Sequence, residues 1–437
     1  MRLNIKEFAK IKEADVIIDG ITVIAGENNT GKSTVGKILF SLFNALSDIE
    51  DKILDERLKE IEFSNRIILQ NYINSTDIPR TIVSRNIMST ARRINIHIRR
   101  IMEENLSVSN EIIQNIVEKE IKMWGNSSRP VNIDEWRDMI NEISQNISEI
   151  LLLQEETIVL EVISRYFNKV FHAQVNSLVG NKNNEATLNL EIKGKSNKLQ
   201  FVENECKKFV DEINITHKAI YIDNPFVVDE LSEYNDLNSM NEMLRNLLTS
   251  DSKESVLDGI IETMRAKEKL NDVYEALQSV VDGEIILSQD DEFYLKNSNF
   301  DEPISFHNLS TGMKSFVIIK MLLEKGCLKE KDVVILDEPE IHLHPQWQIV
   351  YAELIVLLQK RFDLSVVVTT HSPYFVDAIN LFSCKYGSDS KVNYYLSSIF
   401  NNIIKMDLVT GNIDLIYKKM ASPIQMLDTL RYELNNN

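Results

Sequence analysis

One short loop restricts the fold of this chain more than any other feature. Residues 26–33, Gly-Glu-Asn-Asn-Thr-Gly-Lys-Ser, match the pattern G-x-x-x-x-G-K-[ST] in full. The loop follows an apolar segment, Ile21 to Ala25, that is typical of a buried strand, and it precedes a segment, Thr34 to Leu46, with helical periodicity. A strand, this loop and a helix in that order indicate a phosphate-binding P-loop. The chain is therefore predicted to contain a nucleotide-binding α/β domain.

The residue types of the loop suit a polyphosphate ligand such as ATP. Glycines let backbone N–H groups turn toward phosphate oxygens, and the positive end of the following helix adds to the attraction. Lys32 is expected to reach the β- and γ-phosphates, and the Ser33 hydroxyl to ligate Mg²⁺. The alternative is a chance turn in a glycine-containing loop. The predicted ATP-binding residues of the loop are Gly26, Asn28, Asn29, Thr30, Gly31, Lys32, Ser33 and Thr34.

Composition limits the classes of partner and the compartment. The 437 residues can form two or three compact units, and 43% hydrophobic with 26% charged residues is an ordinary globular balance. A formal net charge of −18 argues against general attraction to nucleic acid or anionic membrane, although a local basic patch stays compatible with it. The three cysteines show no CxxC pairing, which indicates reduced thiols. With no membrane-length apolar run and no signal-like N-terminus, we expect a cytoplasmic protein.

The pattern of apolar residues changes twice along the chain. Residues 1–45 are predicted to form the N-terminal part of an ATPase core, and residues 46–218 a mainly helical insertion that contains a β-hairpin. Residues 219–437 return to alternating strands and helices, which indicates a largely parallel sheet covered by helices. Within them, about 236–281 is predicted to be a smaller helical insertion. The expected fold class is an α/β P-loop NTPase core with a mixed, largely parallel sheet and a large helical insertion.

A second apolar segment ends in two carboxylates. Val333 to Leu336 is typical of a buried strand and is followed by Asp337 and Glu338. Such a strand end lies at the mouth of the sheet, so Asp337 is expected beside the P-loop, where it can help to hold Mg²⁺. Glu338 is the candidate general base that polarises the attacking water. Strand ends often carry charge, and it is the P-loop that favours a functional interpretation here.

A segment before that strand resembles a known family. Residues 308–315, Asn-Leu-Ser-Thr-Gly-Met-Lys-Ser, open a predicted helix and are similar to the signature motif of ABC-type ATPases. The resemblance implies that Ser310 and the Gly312 backbone contact the γ-phosphate of ATP held by a second subunit. The family's usual sequence is Leu-Ser-Gly-Gly-Gln, and this chain has Thr311 for the first glycine and Met313 for the glutamine. A helix cap at Ser310 is compatible with both interpretations.

The resemblance extends to a histidine after another apolar strand. Residues 369–373, Thr-Thr-His-Ser-Pro, occupy the place of the switch histidine of these ATPases. The resemblance implies that His371 contacts the γ-phosphate and the attacking water. The predicted catalytic residues are thus Glu338, His371 and Lys32, and the predicted metal ligands are Ser33 and Asp337.

Two further segments resemble one branch of the ABC-type ATPases. Residues 337–345, Asp-Glu-Pro-Glu-Ile-His-Leu-His-Pro, are similar to the OLD-like (overcoming lysogenization defect) branch, in which they occupy the D-loop at the dimer interface. Residues 221–226, Tyr-Ile-Asp-Asn-Pro-Phe, are also similar to that branch, notably to ATPase subunits of bacterial anti-phage systems such as Septu and PARIS. The resemblance covers residues 1–45 and about 219–400, and the helical insertion matches nothing specific.

For some polar residues the sequence leaves the role open. His342 and His344 would suit a metal site, but no further Cys or His lies near them in the sequence. The glutamine of the family's Q-loop is not assigned, because Gln174 and Gln200 both lie in the predicted insertion. Four arginines on one side of a predicted helix would meet phosphates or form a solvated face answered by nearby glutamates, and the second interpretation is favoured. They are Arg92, Arg93, Arg99 and Arg100.

The four motifs in this order predict ATP-dependent dimerisation and hydrolysis. By resemblance, we expect a regulatory ATPase subunit that holds or releases a separate effector, a nuclease, in defence against phage. The alternative is a stand-alone DNA-binding ATPase of DNA repair or maintenance. A self-contained OLD nuclease is disfavoured because 66 residues follow His371 (437 minus 371). Expected partners are ATP, Mg²⁺, a second copy of the chain and the effector, with DNA left open and no membrane.

Overall fold

A computed structural model of the protein describes residues 1–74, 80–104, 108–124, 132–178, 185–231, 239–250, 270–289, 292–297, 300–401 and 403–435. The chain divides into two compact units. Residues 1–47 and 163–437 form one of them, which we name the core unit. Residues 48–162 form the other, which we name the helical unit.

The strands of the described residues all lie in the core unit. They are β1 (Arg2–Phe8), β2 (Ile11–Ile17), β3 (Ile21–Gly26), β4 (Ala186–Ile192), β5 (Lys195–Val202), β6 (Glu205–Val210), β7 (Ala219–Ile222), β8 (Glu284–Leu287), β9 (Phe293–Lys296), β10 (Ile304–Ser305), β11 (Val333–Asp337), β12 (Ser365–Thr370), β13 (Val392–Phe400) and β14 (Ile403–Leu408).

The helices of the described residues occur in both units. They are α1 (Lys32–Leu46), α2 (Ile49–Asn74), α3 (Arg80–Glu103), α4 (Asn110–Lys122), α5 (Arg137–Leu151), α6 (Glu155–Phe171), α7 (Ser239–Thr249), α8 (Asn271–Gln278), α9 (Thr311–Glu324), α10 (Pro345–Phe362), α11 (Pro373–Lys385), α12 (Asp414–Met420) and α13 (Ser422–Asn435). Short 3₁₀ helices cover Ile133–Trp136, Pro225–Glu230, Phe306–Asn308 and Asp389–Lys391.

A six-stranded sheet in the order β14-β13-β3-β12-β11-β7 forms the centre of the core unit. Its strands run parallel except β14, which pairs antiparallel with β13 at one edge. On one face, Ile335 lies against Gly36 of α1. On the other face, Val334 and Leu336 belong to the main hydrophobic core with α9, α10 and α11. Helices thus cover both faces, and the predicted α/β class with a largely parallel sheet is confirmed.

A second sheet corrects the predicted place of the β-hairpin. The hairpin exists as β4 and β5, but β4 pairs with β1 in a sheet of order β2-β1-β4-β5-β6, so it belongs to the core unit. Phe167 and Phe201 also pack against Phe8 of β1. Such pairings between distant segments leave no mark on the local pattern, which is why the boundary at residue 218 was placed too late. A third sheet has the order β10-β9-β8.

The helical unit is consequently shorter than the predicted insertion of residues 46–218. In it, α2 packs against α3 and α5, and α4 packs against the same two helices. The apolar residues that recur at helical spacing all face this core. They are Trp136, Met139, Ile140, Ile143, Ile147 and Ile150.

The smaller predicted insertion, about 236–281, falls partly outside the described residues, since 251–269 are not among them. Its described helices, α7 and α8, bury Leu244, Leu248, Val273 and Leu277 in the main core of the core unit. Among the described residues, no helix combines the length and the apolar composition needed to cross a membrane.

Candidate functional site

The predicted P-loop, metal-binding and catalytic residues converge at the carboxyl ends of neighbouring parallel strands. β12 lies between β3, which ends at Gly26, and β11, which ends at Asp337. In register, Thr370 pairs with Ala25 and Thr369 pairs with Asp337. The P-loop, Asp337 and the segment after β12 therefore meet at one edge of the sheet, which is where open α/β sheets bind ligands.

The P-loop is held by its own chain and by β13. Thr30 Oγ1 donates to the Glu27 carbonyl at 2.8 Å, and Ser397 Oγ donates to the Thr30 carbonyl at 2.6 Å. A Cβ atom on Gly26 would lie 2.2 Å from the Ser397 carbonyl oxygen. Gly31 has a φ of +80°, in the left-handed region that favours glycine. The two glycines of the motif are thus required by close approach to β13 and by backbone conformation respectively.

Lys32 begins α1 and points back into the loop. Its side chain is 3% exposed, and Nζ donates to the Glu27 carbonyl at 2.9 Å. Nζ also lies 2.8 Å from His371 Nε2 and 3.9 Å from the Glu338 carboxylate. Burial lowers the pKa of Lys32, and the negative charges of Glu338 and Asp337 oppose that shift. The buried ammonium is therefore stabilised by the acidic groups at the strand ends.

Glu338 and His371 complete a cluster of the three predicted catalytic residues. Glu338 has a φ of +52°, a left-handed conformation uncommon outside glycine, and its N–H donates to the Thr369 carbonyl at 3.1 Å. Glu338 Oε1 lies 2.8 Å from the same His371 Nε2 that faces Lys32. When Nε2 carries a proton it donates to Glu338, and when it does not it accepts from Lys32. The tautomer of His371 thus decides whether Nε2 donates to Glu338 or accepts from Lys32.

The predicted metal ligands Ser33 and Asp337 contact each other. Ser33 Oγ donates to Asp337 Oδ1 at 2.9 Å, and Tyr221 OH donates to Asp337 Oδ2 at 2.6 Å. Thr369 Oγ1 donates to Asp337 as well. Burial raises the pKa of Tyr221 well above its ordinary value, and the charge of Asp337 adds to that rise. Tyr221 therefore keeps its proton and orients the Asp337 carboxylate.

A cavity of about 280 Å³ opens beside these groups. Gln174, which the sequence left unassigned, lies on its wall, whereas Gln200 lines a different cavity on the antiparallel sheet. Asn28 is exposed on the loop. The predicted residues that line the cavity are Asn29, Thr30, Gly31, Lys32, Ser33, Thr34 and Glu338.

Sequence reasoning missed several polar residues that support the site. Asp223 follows β7, and burial together with the charge of Asp337 raises its pKa. Glu340 is 6% exposed and accepts hydrogen bonds from residues on both sides of the β12 end. Tyr221 and Thr369 act on Asp337. The order of the strands brings all four to the site. The sequence signal for Glu340 was its place two residues after Glu338, and for Thr369 its place two residues before His371. For Tyr221 and Asp223 the signal was the segment of residues 221–226.

Ser310 and Gly312 line a separate cavity of about 430 Å³ and not the one at the P-loop. Ser310 begins α9, where its Oγ accepts from the Met313 N–H at 3.3 Å. A Cβ atom on Gly312 would lie 2.9 Å from the His342 carbonyl oxygen and 3.0 Å from the Trp347 ring. His342 and His344 line the same cavity. The backbone at Gly312 is therefore packed too closely for any side chain.

Three of the four arginines predicted on α3 pair with carboxylates within the helical unit, and Arg92 is exposed. Arg93 Nε donates to Glu120 Oε2 at 2.5 Å, and Glu120 is 1% exposed. Arg99 pairs with Asp55 and with Glu103. Arg100 pairs with Glu104 at 2.9 Å. These ion pairs favour the interpretation of a solvated helix face whose arginines pair with nearby carboxylates.

Comparison with known proteins places these features in context. The family model described as AAA ATPase domain matches residues 1–376. Septu protein PtuA of Bacillus thuringiensis is 35% identical over 101 residues, which cover 20% of this chain and 25% of that protein. The match thus spans about a quarter of that relative's length.

The solved structures that match this chain include two bacterial proteins. The SMC head domain from Thermotoga maritima matches with a TM-score of 0.38 and 11% identity, over 93% of this chain and 98% of that one. Stu0660 of Streptococcus thermophilus matches with a TM-score of 0.32 and 12% identity, over 91% of this chain and 74% of that one.

Proposed function

The chain belongs to the AAA ATPase domain family, and we propose that this ATPase is a Mg²⁺-dependent dimeric switch for a separate effector protein. The observation that carries the hydrolytic part of the proposal is the mutual contact of Lys32, Glu338 and His371 beside the P-loop cavity. The cation can bind phosphate oxygens, the carboxylate can accept a proton from water, and the imidazole can hydrogen-bond that carboxylate, which together suit phosphoryl transfer to water.

The P-loop and Lys32 supply the binding of the polyphosphate. The loop lies at the N-terminus of α1, where backbone N–H groups and the helix dipole attract anions. Lys32 Nζ is buried against the Glu27 carbonyl, His371 and Glu338, and a γ-phosphate would provide the ammonium with a stronger anionic partner. Lys32 would then hold the phosphate whose bond to the nucleotide breaks.

The donor atoms of Ser33 and Asp337 fit a Mg²⁺ ion. A hydroxyl oxygen and a carboxylate oxygen lie 2.9 Å apart where the P-loop meets the end of β11, and Mg²⁺ prefers oxygen ligands. Tyr221 and Thr369 donate to the same carboxylate and so fix its orientation. When bound, Mg²⁺ supplies positive charge that offsets the negative charge of the triphosphate.

Glu338 is the residue placed to accept a proton from the attacking water. Its carboxylate borders the cavity and is 25% exposed, so a water molecule can reach it. The Nε2 atom of His371, 2.8 Å away, orients that carboxylate in the tautomer that donates to it. Oxygen of the water attacks the γ-phosphorus, its proton passes to Glu338, and ADP leaves with the electron pair of the broken bond.

Closure by a second copy would complete the site. Ser310 and Gly312 line a cavity apart from the P-loop, although the resemblance assigns them to the γ-phosphate. The separate cavity and the contact with the γ-phosphate are compatible if the Ser310 segment of one copy faces the P-loop of the other in a two-fold dimer. ATP contacts made only in the closed dimer would then set the population of that state.

The effector part of the proposal rests on the partial similarity to Septu protein PtuA and on the resemblance to anti-phage ATPase subunits. We propose that the partner is a nuclease that the ATPase holds or releases during defence against phage. The alternative of a stand-alone DNA-binding ATPase gains no support from the arginine set of α3, since Arg93, Arg99 and Arg100 face carboxylates.

The experiment is a pull-down of the tagged chain expressed with its native neighbouring genes, with mass spectrometry and mass measurement of the complex. Stoichiometric recovery of a nuclease-like neighbour is expected, and the tag alone serves as the control. Purified chain is assayed in parallel for phosphate release with and without Mg²⁺. Recovery of the ATPase alone, as a dimer, would contradict the effector part and leave the ATPase part standing.

A further inference from the structure

Glu340 is a buried carboxylate that holds the segment carrying His371. Its side chain is 6% exposed. Oε1 accepts from the Thr370 hydroxyl at 2.6 Å and from the His371 backbone N–H at 2.6 Å. Thr370 ends β12 and His371 follows it, so one oxygen atom ties the end of β12 to the segment after β11.

The residue on the other side of His371 is held in a similar way. Ser372 N–H donates to Thr370 Oγ1 at 3.0 Å, and Ser372 Oγ donates to Gln348 Oε1 at 2.7 Å. The Gln348 amide donates in turn to the Leu343 carbonyl at 3.1 Å. Thr370, Ser372 and Gln348 are all buried. The backbone of His371 is therefore fixed on both sides by buried polar groups, while its ring reaches out to Lys32 and Glu338.

Stability alone does not account for a carboxylate at this position. Burial of Glu340 raises its pKa, because the charged form loses its hydration. Oε1 recovers part of that cost through two hydrogen bonds, but Oε2 is buried and has no hydrogen-bond partner among the described residues. An apolar side chain of similar volume would avoid the cost, so the group is better explained by the geometry it imposes on His371.

We infer that Glu340 is a positioning residue for ATP hydrolysis, which sets the place of the His371 ring through the His371 backbone N–H. This inference rests on the proposed function, since His371 Nε2 faces Glu338 and Lys32 in the reaction described above. Glu340 is expected not to touch the nucleotide. Its loss should therefore lower kcat and leave the affinity for ATP unchanged.

Three variants separate this role from a general loss of folding. Glu340→Ala removes the acceptor and is expected to lower kcat about tenfold or more, because a displacement of about 1 Å at a reacting group has effects of that order or larger. The KM for ATP should stay near the wild-type value. Glu340→Gln keeps an acceptor oxygen and should restore most of kcat. Thr370→Val keeps the shape of the side chain, removes one donor and should give an intermediate kcat.

A double-variant cycle with His371→Ala tests whether Glu340 acts through the histidine. If it does, Glu340→Ala should lower kcat by no more than about twofold when His371 is already absent. Equal effects of Glu340→Ala in both backgrounds would overturn the inference. So would a loss of kcat in Glu340→Gln as large as in Glu340→Ala.

A measurement without turnover keeps this inference distinct from the proposed function. In protein labelled with ¹⁵N-histidine, the imidazole signals of His371 are identified by their loss in His371→Ala. We expect them to shift in Glu340→Ala and to stay near their wild-type positions in Glu340→Gln. Unchanged signals in Glu340→Ala would overturn the positioning role. If the wild-type protein proves inactive but the His371 signals still shift in Glu340→Ala, the proposed ATPase mechanism is refuted and the positioning role is supported.

Discussion

The core unit and the helical unit both contain charged residues in close contact, but they arrange them differently. In the core unit, Lys32, Glu338 and His371 converge on one point within 4 Å of each other beside an open cavity. In the helical unit, Arg93 of α3 pairs with the buried Glu120 of α4, and the exposed Arg100 pairs with Glu104, just after the end of α3. Convergence beside a cavity favours a catalytic role for these residues, whereas pairing along helix faces favours a structural role.

The difference follows from the geometry of the two architectures. Parallel strands bring their carboxyl ends to one edge, so residues that are distant in sequence meet there. A helix spreads successive side chains around its axis, and residues three or four apart become neighbours. Substitutions should therefore change turnover in the core unit and stability in the helical unit.

The largest effect is expected at Lys32. Lys32→Ala removes the buried cation of the P-loop, and we expect loss of ATP binding and of measurable hydrolysis. Binding of a fluorescent ATP analogue and phosphate release measure the two. The melting temperature serves as the control for folding. Retained hydrolysis would show that the catalytic point of the core unit lies elsewhere.

Glu338→Gln should separate binding from chemistry. The amide keeps the size of the side chain but cannot accept a proton from water, so kcat should fall about 100-fold or more. ATP binding should persist, and closed assemblies should accumulate in light scattering with ATP. Asp363→Asn, a change of an exposed carboxylate at the end of α10, is the matched control and should leave kcat unchanged. Normal hydrolysis by Glu338→Gln would exclude it as the base.

Ser310→Arg tests whether two copies share each site. Ser310 is exposed, so an arginine at this position fits within its own chain. The arginine should block closure of the dimer and lower kcat about tenfold. Loss of the helix cap should also reduce the free energy of unfolding by about 1 kcal/mol. When the Ser310→Arg and Lys32→Ala chains are mixed in equal amounts, half of the dimers contain one chain of each kind. Each of these dimers has one complete site out of two, so about a quarter of wild-type activity should return. No recovery after subunit exchange would argue against a shared site.

The smallest effects on turnover are expected in the helical unit. Arg93→Gln leaves the buried Glu120 carboxylate with His97 as its remaining described partner and should reduce the free energy of unfolding by about 1–3 kcal/mol. Arg100→Gln breaks an exposed pair and should cost less than about 0.5 kcal/mol. Both should keep the wild-type kcat. Denaturant unfolding measures the free energy of unfolding, and phosphate release measures kcat. Weaker and less salt-dependent DNA binding by Arg100→Gln would instead favour the interpretation that the arginines of α3 contact nucleic-acid phosphates.

Much of the candidate site could be predicted from the sequence, because its key residues lie in contiguous motifs. Gly26 to Ser33, Asp337 with Glu338, and His371 each follow an apolar strand, and the structure brings them together at one edge. Their chemical roles stay predictions until the variants are measured. Sequence reasoning assigned no role to Glu340 and left Gln174 unassigned, since neither shows its contacts in the local pattern.

The sequence by itself determined the α/β class and the order of motifs, because apolar periodicity and the P-loop pattern are local properties of the chain. Only the tertiary structure decided that β4 to β6 join β1 in the core unit, and that the helical unit covers residues 48–162. It also decided that the Glu340 carboxylate holds the His371 backbone. The physical reason is the same in each case, since strand pairing and buried hydrogen bonds join segments far apart in sequence and leave no periodic signal in either of them.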